Sequence, residues 1–273
     1  MAKEQFFHPE SADLLKTLDE AARRSGVSRG QAFEDFLHMT VCSLSGGRME
    51  EQYLAVVKKH SQGKPGRRGC DSIAELFGKS VAAMETEETR GEMKDILGDL
   101  FQGAITYGEA GQFLSPEPIA RMMAAVTVGD VPEEAKYEKK SVCDPACGSG
   151  RMLLAVAEKQ PHWLFVGQDV DLRCVRMCAI NLALRNLYGY VIQGNSLADE
   201  RRLVYRTGFD LTGVISEVSI DGCPVPVQKI AVQPPARSPE ASAVPTSRDE
   251  PTHAEAVDHE VMLPCSTNQL RLF

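Results

Sequence analysis

The residues best suited to chemistry are a glycine-rich turn and an acidic residue that follow two predicted strands. The turn is DPACGSG, from Asp144 to Gly150, and it lies between a predicted strand and a predicted helix. Glycines let the backbone turn sharply and approach a ligand closely, and the start of the helix offers free N–H groups. Asp169 ends the second predicted strand, where a carboxylate suits ribose hydroxyls. The combination predicts a nucleotide-like ligand bordered by Gly148 and Gly150, with Asp144 in reach of a cationic amino group.

The elements that must position these residues alternate between strands and helices. Predicted strands cover 142–145, 164–169 and 190–194, with predicted helices over 152–159 and 171–188. Strands that alternate with helices predict an α/β fold with a parallel sheet and right-handed crossovers. The stretch LTGVISEV, at 211–218, is a candidate fourth strand. The predicted fold is therefore Rossmann-like with an incomplete sheet.

Three regions are predicted along the chain. Residues 1–70 form a helical N-terminal region, in which Ser28 and Gln31 make a capping-box pattern at the start of a helix. Residues 71–225 form the α/β domain, with a further helix expected over 88–101. Residues 226–273 are rich in proline and poor in large apolar side chains, which predicts a disordered tail.

Composition narrows the function classes. The 273 residues carry a net charge of −8, which argues against coating DNA through bulk electrostatics. One cluster is basic, and we interpret it as a solvated linker, with a local basic patch for DNA as the alternative: Lys58, Lys59, His60, Lys64, Arg67 and Arg68. No apolar run approaches the roughly 18 residues of a membrane span, and no signal peptide is visible. The eight cysteines form no C-x-x-C pair, so we expect reduced thiols, no metal and a cytoplasmic protein.

Three motifs in order resemble one enzyme family. They are GQFLSP at 111–116, DPACGSG at 144–150 and IQGNSL at 192–197. Together they resemble the gamma-class adenine-N6 DNA methyltransferases, and they are most similar to the bacterial modification subunits of type I restriction systems. The resemblance covers residues 88–197. It implies S-adenosylmethionine as cofactor and double-stranded DNA as partner, bound directly or through another protein.

The resemblance also implies the cofactor contacts. The methionine side is lined by Phe113, Ser115 and Pro116, and the floor is formed by Asp144, Ala146, Gly148 and Gly150. The ribose is held by Asp169, and the adenine packs on Val170. An acidic residue that family members place near the adenine amine is replaced by Asn195.

The catalytic motif of the family is not found. Family members hold the adenine amine with Asn-Pro-Pro-Tyr/Phe at the end of the fourth strand, but no asparagine of this chain precedes a proline. The expected position holds EVSI, at 217–220. The one proline pair, in QPPA at 233–236, offers a glutamine amide but no aromatic ring. We therefore assign no catalytic residue.

Two hypotheses of function follow. In the first, the chain is an active adenine-specific DNA methyltransferase whose missing groups are unfamiliar or come from a partner. In the second, it is a catalytically inactive accessory or regulatory protein of a restriction-modification or mobile-element system. A methyltransferase for small molecules or proteins is a third hypothesis, and GQFLSP argues against it.

The final residues form a candidate linear motif. QLRLF resembles the bacterial sliding-clamp-binding peptide, and the matched positions are Gln269, Leu270, Leu272 and Phe273. A short apolar peptide on a disordered tether is easily captured by a partner. The alternative is a terminal segment that docks on its own domain. The motif predicts the sliding clamp as a partner.

Overall fold

The computed structural model describes residues 6–85, 92–106, 114–129, 137–210 and 213–225, and the backbone of 269–271. The helices are α1 (Ser11–Ser25), α2 (Arg29–Ser43), α3 (Glu50–Lys59), α4 (Gly69–Met84), α5 (Ile96–Leu100), α6 (Glu117–Val128), α7 (Arg151–Ala157) and α8 (Leu172–Leu184). A π-helical segment, Phe101–Thr106, continues α5. The strands are β1 (Ser141–Asp144), β2 (Leu164–Asp169), β3 (Gly189–Gln193), β4 (Leu203–Asp210), β5 (Gly213–Val218) and β6 (Gln269–Arg271).

The helical N-terminal region forms because its caps and apolar faces agree. Gly26 adopts φ 67° and ends α1, a left-handed conformation that glycine tolerates best. The Ser28 side chain accepts a hydrogen bond from the Gln31 backbone N–H at 3.1 Å and opens α2, as the capping pattern predicts. The helix predicted over 88–101 is shorter. The described chain is irregular before Asp95, whose side chain caps α5 by accepting from Gly98 N–H at 2.9 Å.

The sheet has the order β5-β4-β3-β2-β1-β6. Strands β1, β2 and β3 are parallel neighbours, which confirms the predicted α/β, Rossmann-like arrangement. In the register, Asp144 lies beside Gly167, and Asp169 lies beside Gln193. The carboxyl ends of these strands, where the predicted site residues lie, therefore meet at one edge of the sheet.

The predicted fourth strand is present, but it belongs to an antiparallel hairpin and is not a parallel neighbour of the first three. Gly213–Val218 pairs antiparallel with β4, and β4 pairs antiparallel with β3. A parallel connection needs a crossover of a dozen or more residues, whereas β4 and β5 are joined by residues 211–212 alone. The β4–β5 hairpin therefore extends the sheet beyond β3, on the side away from β1.

One hydrophobic core joins the helical region and the sheet. Buried side chains from α1 to β5 form a single cluster, and the rings of Phe33 in α2 and Phe101 stack at 5.8 Å. The described cysteines are free thiols and most are buried, as expected, while Cys265 lies outside the described residues. Among the described helices, none combines the length and the apolar character that a bilayer crossing requires.

The predicted tail falls mostly outside the described residues. Residues 226–268 and 272–273 are not described, and they include Leu272 and Phe273 of the clamp-like motif. The backbone of Gln269–Arg271 is strand β6, which pairs in parallel with β1 from Ser141 to Cys143. This part of the tail therefore docks on the domain, the alternative to a free linear motif.

Candidate functional site

The glycine-rich turn leaves β1 and enters α7 with two glycines in the left-handed region. Gly148 has φ 52° and Gly150 has φ 86°. A Cβ on Gly148 would lie 2.5 Å from Leu114 Cδ2, and one on Gly150 would lie 2.8 Å from Cys178 Sγ. Both the conformation and the close approach therefore require glycine at these two positions. The turn is as tight as the sequence predicts.

The two carboxylates of the predicted site are held by backbone N–H groups of the turns that follow β1 and β2. Asp144 Oδ1 accepts a hydrogen bond from Ala146 N–H at 3.1 Å. Asp169 Oδ2 accepts from Gly148 N–H at 2.9 Å, and its Oδ1 accepts from Asp171 N–H at 2.9 Å. The fold thus brings the end of β2 into direct contact with the glycine turn after β1.

Burial raises the pKa values of both carboxylates. Loss of hydration and the nearby charge of Asp169 together raise the pKa of Asp144 to about 6, despite the hydrogen bond from Ala146 N–H. Burial also raises the pKa of Asp169. A desolvated carboxylate gains most from a cation or from hydroxyl donors. The pair is therefore poised for a ligand that carries a positive charge and hydroxyl groups.

The buried carboxylate of Asp95 and the donors around it, which we call the hub, hold the glycine turn in place. Asp95 Oδ2 accepts hydrogen bonds from Ser149 Oγ at 2.5 Å and Arg151 Nε at 2.9 Å. Its Oδ1 accepts from Asn181 Nδ2 at 2.9 Å and from Gly98 N–H. Asp95 is fully buried, so these donors replace the water that its charge would otherwise require. The turn is therefore rigidly connected to α5 and α8.

A strap of residues 114–116 closes over the glycine turn. Arg151 Nη1 donates a hydrogen bond to the Ser115 carbonyl oxygen at 2.8 Å, while its Nε holds Asp95. Leu114 is buried against Gly148. Of the positions expected on the methionine side, Ser115 and Pro116 thus lie beside the turn, and Phe113 lies outside the described residues.

The ends of β2 and β3 complete the site. Gly194 N–H donates to the Asp169 carbonyl oxygen at 2.9 Å and brings the two strand ends together. The Asn195 side chain accepts from Leu197 N–H at 3.0 Å and caps the short turn Ser196–Ala198, which leaves its amide N–H groups available. Val170 is 61% exposed and presents an apolar surface beside Asp169.

The segment at the expected position of the catalytic motif lies outside this site, two strands beyond β3. EVSI begins at the end of β5, and β5 is separated from β1 by β4, β3 and β2. At a strand spacing of about 4.8 Å, this places β5 about 19 Å from β1. The QPPA segment lies outside the described residues. The described residues also contain no group of three or more His, Cys, Asp or Glu side chains that could hold a metal ion.

Sequence reasoning missed the residues that support the site. Asp95, Arg151 and Asn181 come from three separate elements, and nothing in their spacing shows that they meet. Asp95 lies inside the helix predicted over 88–101, so no capping pattern pointed to it. The structure shows it capping α5 and binding Arg151 with the same carboxylate.

Comparisons with known proteins give matches to one family model and to several solved structures. Residues 92–211 match the family model described as N-6 DNA Methylase. Similar solved structures include a putative class I S-adenosylmethionine-dependent methyltransferase from Listeria monocytogenes, at 14% identity and a TM-score of 0.37. They also include a type I restriction-modification system methyltransferase subunit from Streptococcus thermophilus, at 13% identity and a TM-score of 0.36. Among curated proteins, none matches the chain significantly.

The chain spans little more than half of these solved structures. The alignment with the Listeria protein covers 69% of this chain and 54% of that one. The alignment with the Streptococcus subunit covers 71% of this chain and 59% of that one.

Proposed function

We propose that this N6-adenine DNA methyltransferase-like protein binds S-adenosylmethionine at the carboxyl ends of β1, β2 and β3 and serves adenine methylation of DNA. The observation that carries the proposal is the desolvated pair Asp144 and Asp169, closed around a glycine turn by the bond from Gly148 N–H to Asp169. The match of residues 92–211 to the N-6 DNA methylase family supports the substrate class.

Each part of the cofactor has a chemically suitable partner. The cationic amino group fits Asp144, and the ribose hydroxyls fit the Asp169 carboxylate. The exposed Val170 offers an apolar surface to the adenine ring, and the Asn195 amide can donate to or accept from its polar edge. Ser115 and Pro116 border the methionine side. When bound, S-adenosylmethionine supplies an electrophilic methyl group.

Methyl transfer also needs acceptors that hold the adenine amine, because that amine is a weak nucleophile. The described residues beside the pocket offer no Asn-Pro-Pro segment, and β5 is separated from β1 by β4, β3 and β2. We therefore infer that a further polypeptide segment supplies the adenine-holding groups when the protein acts as a methyltransferase.

Calorimetric titration with S-adenosylmethionine tests the cofactor site. We expect binding by the wild type and at least tenfold weaker binding by Asp169→Ala, which loses the ribose acceptor. Asp221→Ala, in the exposed turn after β5, is the matched control and should bind like the wild type. A wild type that binds no S-adenosylmethionine refutes the cofactor assignment.

Transfer of a tritiated methyl group to adenine-containing DNA tests the activity. The assay is run on the chain alone and with modification-system proteins added. Methylation that appears only with a partner supports a shared active site. Methylation of DNA that lacks adenine contradicts adenine specificity.

A second candidate function is that of a non-catalytic accessory protein that is tethered to the sliding clamp. The match of Gln269, Leu270, Leu272 and Phe273 to the clamp-binding peptide favours it. The backbone of Gln269–Arg271 pairs with β1, so clamp capture requires this strand to leave the sheet. Deletion of residues 269–273 should abolish capture by purified clamp, and unchanged capture argues against the tether.

A further inference from the structure

An open cleft of about 640 Å³ lies in the helical region, between the end of α1 and the loop that joins α3 to α4. Its lining shares no residue with the cofactor site, and half of the lining side chains are arginines. The lining residues are Glu20, Arg23, Arg24, Gln62, Gly63 and Arg67. The two walls are therefore an α-helical turn and a loop, each bearing guanidinium groups.

Buried contacts beneath the cleft hold its two walls together. His60, at the end of α3, is fully buried, and its Nδ1 bonds to Ser25 Oγ at 2.6 Å. Its Nε2 bonds to Asp35 Oδ2 of α2 at 3.0 Å. A Cβ on Gly69 would lie 1.8 Å from Ser25 Oγ, so the start of α4 touches the end of α1. The arginines are thus presented on a preformed frame, which lowers the entropy cost of binding a ligand.

The cleft carries an excess of positive charge. Glu20 accepts hydrogen bonds from Arg23 and from Arg24 at 2.6–2.8 Å. The bonds from Arg23 and then Arg24 lower the pKa of Glu20 to about 2, so one carboxylate faces two guanidinium groups. Arg67 is exposed, and its side chain makes no hydrogen bond or ion pair with any described residue. Two positive charges are therefore left without a counter-charge in the lining.

Several other cations of the helical region have carboxylate partners. Arg29 pairs with Asp19, Lys79 with Asp13, Lys59 with Asp35 and Arg68 with Asp71. The fold therefore places members of the basic cluster at 58–68 in different environments. His60 is buried, Lys59 and Arg68 are paired, and Arg67 meets the arginines of α1 instead.

We propose that this cleft binds phosphate groups, and, under the proposed function, those of a DNA backbone. Guanidinium forks match phosphate oxygens in geometry and charge. The cleft lies at the far end of α1 from Ser11, whose hydroxyl donates to Asp99 beside the hub of the cofactor site. The helix rise of 1.5 Å per residue puts Arg23 about 18 Å from Ser11. Duplex DNA spans that length in about five base pairs.

Fluorescence anisotropy with a labelled duplex, measured at several salt concentrations, tests the proposal on the full chain. Arg67→Ala should bind about tenfold more weakly, and the slope of log affinity against log salt should shrink by about 1. Glu20→Gln should bind about threefold more tightly, because it removes the negative charge and frees both α1 arginines. Arg48→Ala, an exposed arginine outside the cleft, is the matched control and should change affinity less than Arg67→Ala.

A parallel titration with inorganic tripolyphosphate distinguishes the source of the phosphate. If the wild type binds tripolyphosphate through Arg67 but binds no duplex, the cleft serves a free phosphorylated molecule. The phosphate site then stands, and the DNA part of the proposed function fails. If Arg67→Ala and Glu20→Gln leave duplex affinity unchanged and tripolyphosphate does not bind, the phosphate site is refuted. Neither readout depends on S-adenosylmethionine, so failure of the cofactor site is detected separately.

Discussion

Replacing a cofactor-site carboxylate should stabilise the protein without its ligand. The pKa of Asp144 rises from 3.8 to about 6 because burial removes its hydration, and this corresponds to about 3 kcal/mol at pH values above 6. The folded state favours the neutral form of Asp144, so ionisation of this carboxyl lowers the free energy of unfolding. This destabilisation is absent below pH 3.8, grows between pH 3.8 and 6, and is complete above pH 6. Asp144→Asn keeps an oxygen for Ala146 N–H and removes the charge.

Urea unfolding of the ligand-free protein at two pH values measures this effect. The stability gain from Asp144→Asn should be about 3 kcal/mol at pH 7.5 and about 1 kcal/mol at pH 4.5. The difference of about 2 kcal/mol between the two pH values does not depend on how well asparagine fits. The exposed Asp221→Asn should show a pH dependence of no more than a few tenths of a kcal/mol. A gain from Asp144→Asn that is equal at both pH values would show that Asp144 is not desolvated.

Binding of S-adenosylmethionine should favour the ionised form of Asp144 over the neutral form. If the cationic amino group of S-adenosylmethionine pairs with Asp144, binding favours the ionised carboxylate and releases a proton. The affinity of the wild type should then rise as the pH increases through about 6, and that of Asp144→Asn should be lower and flat. Calorimetry in buffers of different ionisation enthalpy detects the released proton, and equal pH profiles for the two proteins contradict the pairing.

Three further outcomes follow from the support of the site. Arg151→Lys cannot bridge Asp95 and the Ser115 carbonyl, so S-adenosylmethionine should bind about tenfold more weakly while adenosine, which lacks the methionine part, is unaffected in calorimetry; equal losses contradict a specific strap. Gly150→Ala should lower the free energy of unfolding by about 2 kcal/mol because of its φ of 86° and the nearby Cys178 Sγ, whereas Gly78→Ala, in open space on α4, should raise it by about 0.5–1 kcal/mol. Asn181→Ala deprives the buried Asp95 of a donor and should cost about 2–3 kcal/mol in urea unfolding; a loss below 0.5 kcal/mol contradicts the hub.

The sequence predicts the parallel half of the sheet well because local signals agree there. The strand–turn–helix unit around DPACGSG is specified by apolar runs and by glycines with positive φ, which nearby residues alone determine. The contact between Asp169 and the glycine turn follows from the rule that carboxyl ends of parallel strands share one edge. Periodicity does not predict the direction of β4 and β5, because a strand has the same alternation in either orientation.

The support of the site could not be predicted, because it joins residues that are distant in the chain. Asp95 meets Arg151 and Asn181 only when α5, α7 and α8 pack together, and the sequence pattern places Asp95 inside a helix rather than before one. The arginine cleft has the same origin. The linear basic cluster at 58–68 is redistributed because Asp35 and Asp71 pair with Lys59 and Arg68, and because α1 brings other arginines beside Arg67 from far away in sequence.

The sequence by itself determined the glycine turn, the acidic residue after β2 and the class of fold, since each rests on short-range backbone preferences and on the spacing of apolar side chains. Only the tertiary structure decided which carboxylates lose their water, which arginines keep an unpaired charge and which side of the sheet β5 occupies. Burial and ion pairing depend on what surrounds a group in space, and packing between distant segments sets those surroundings.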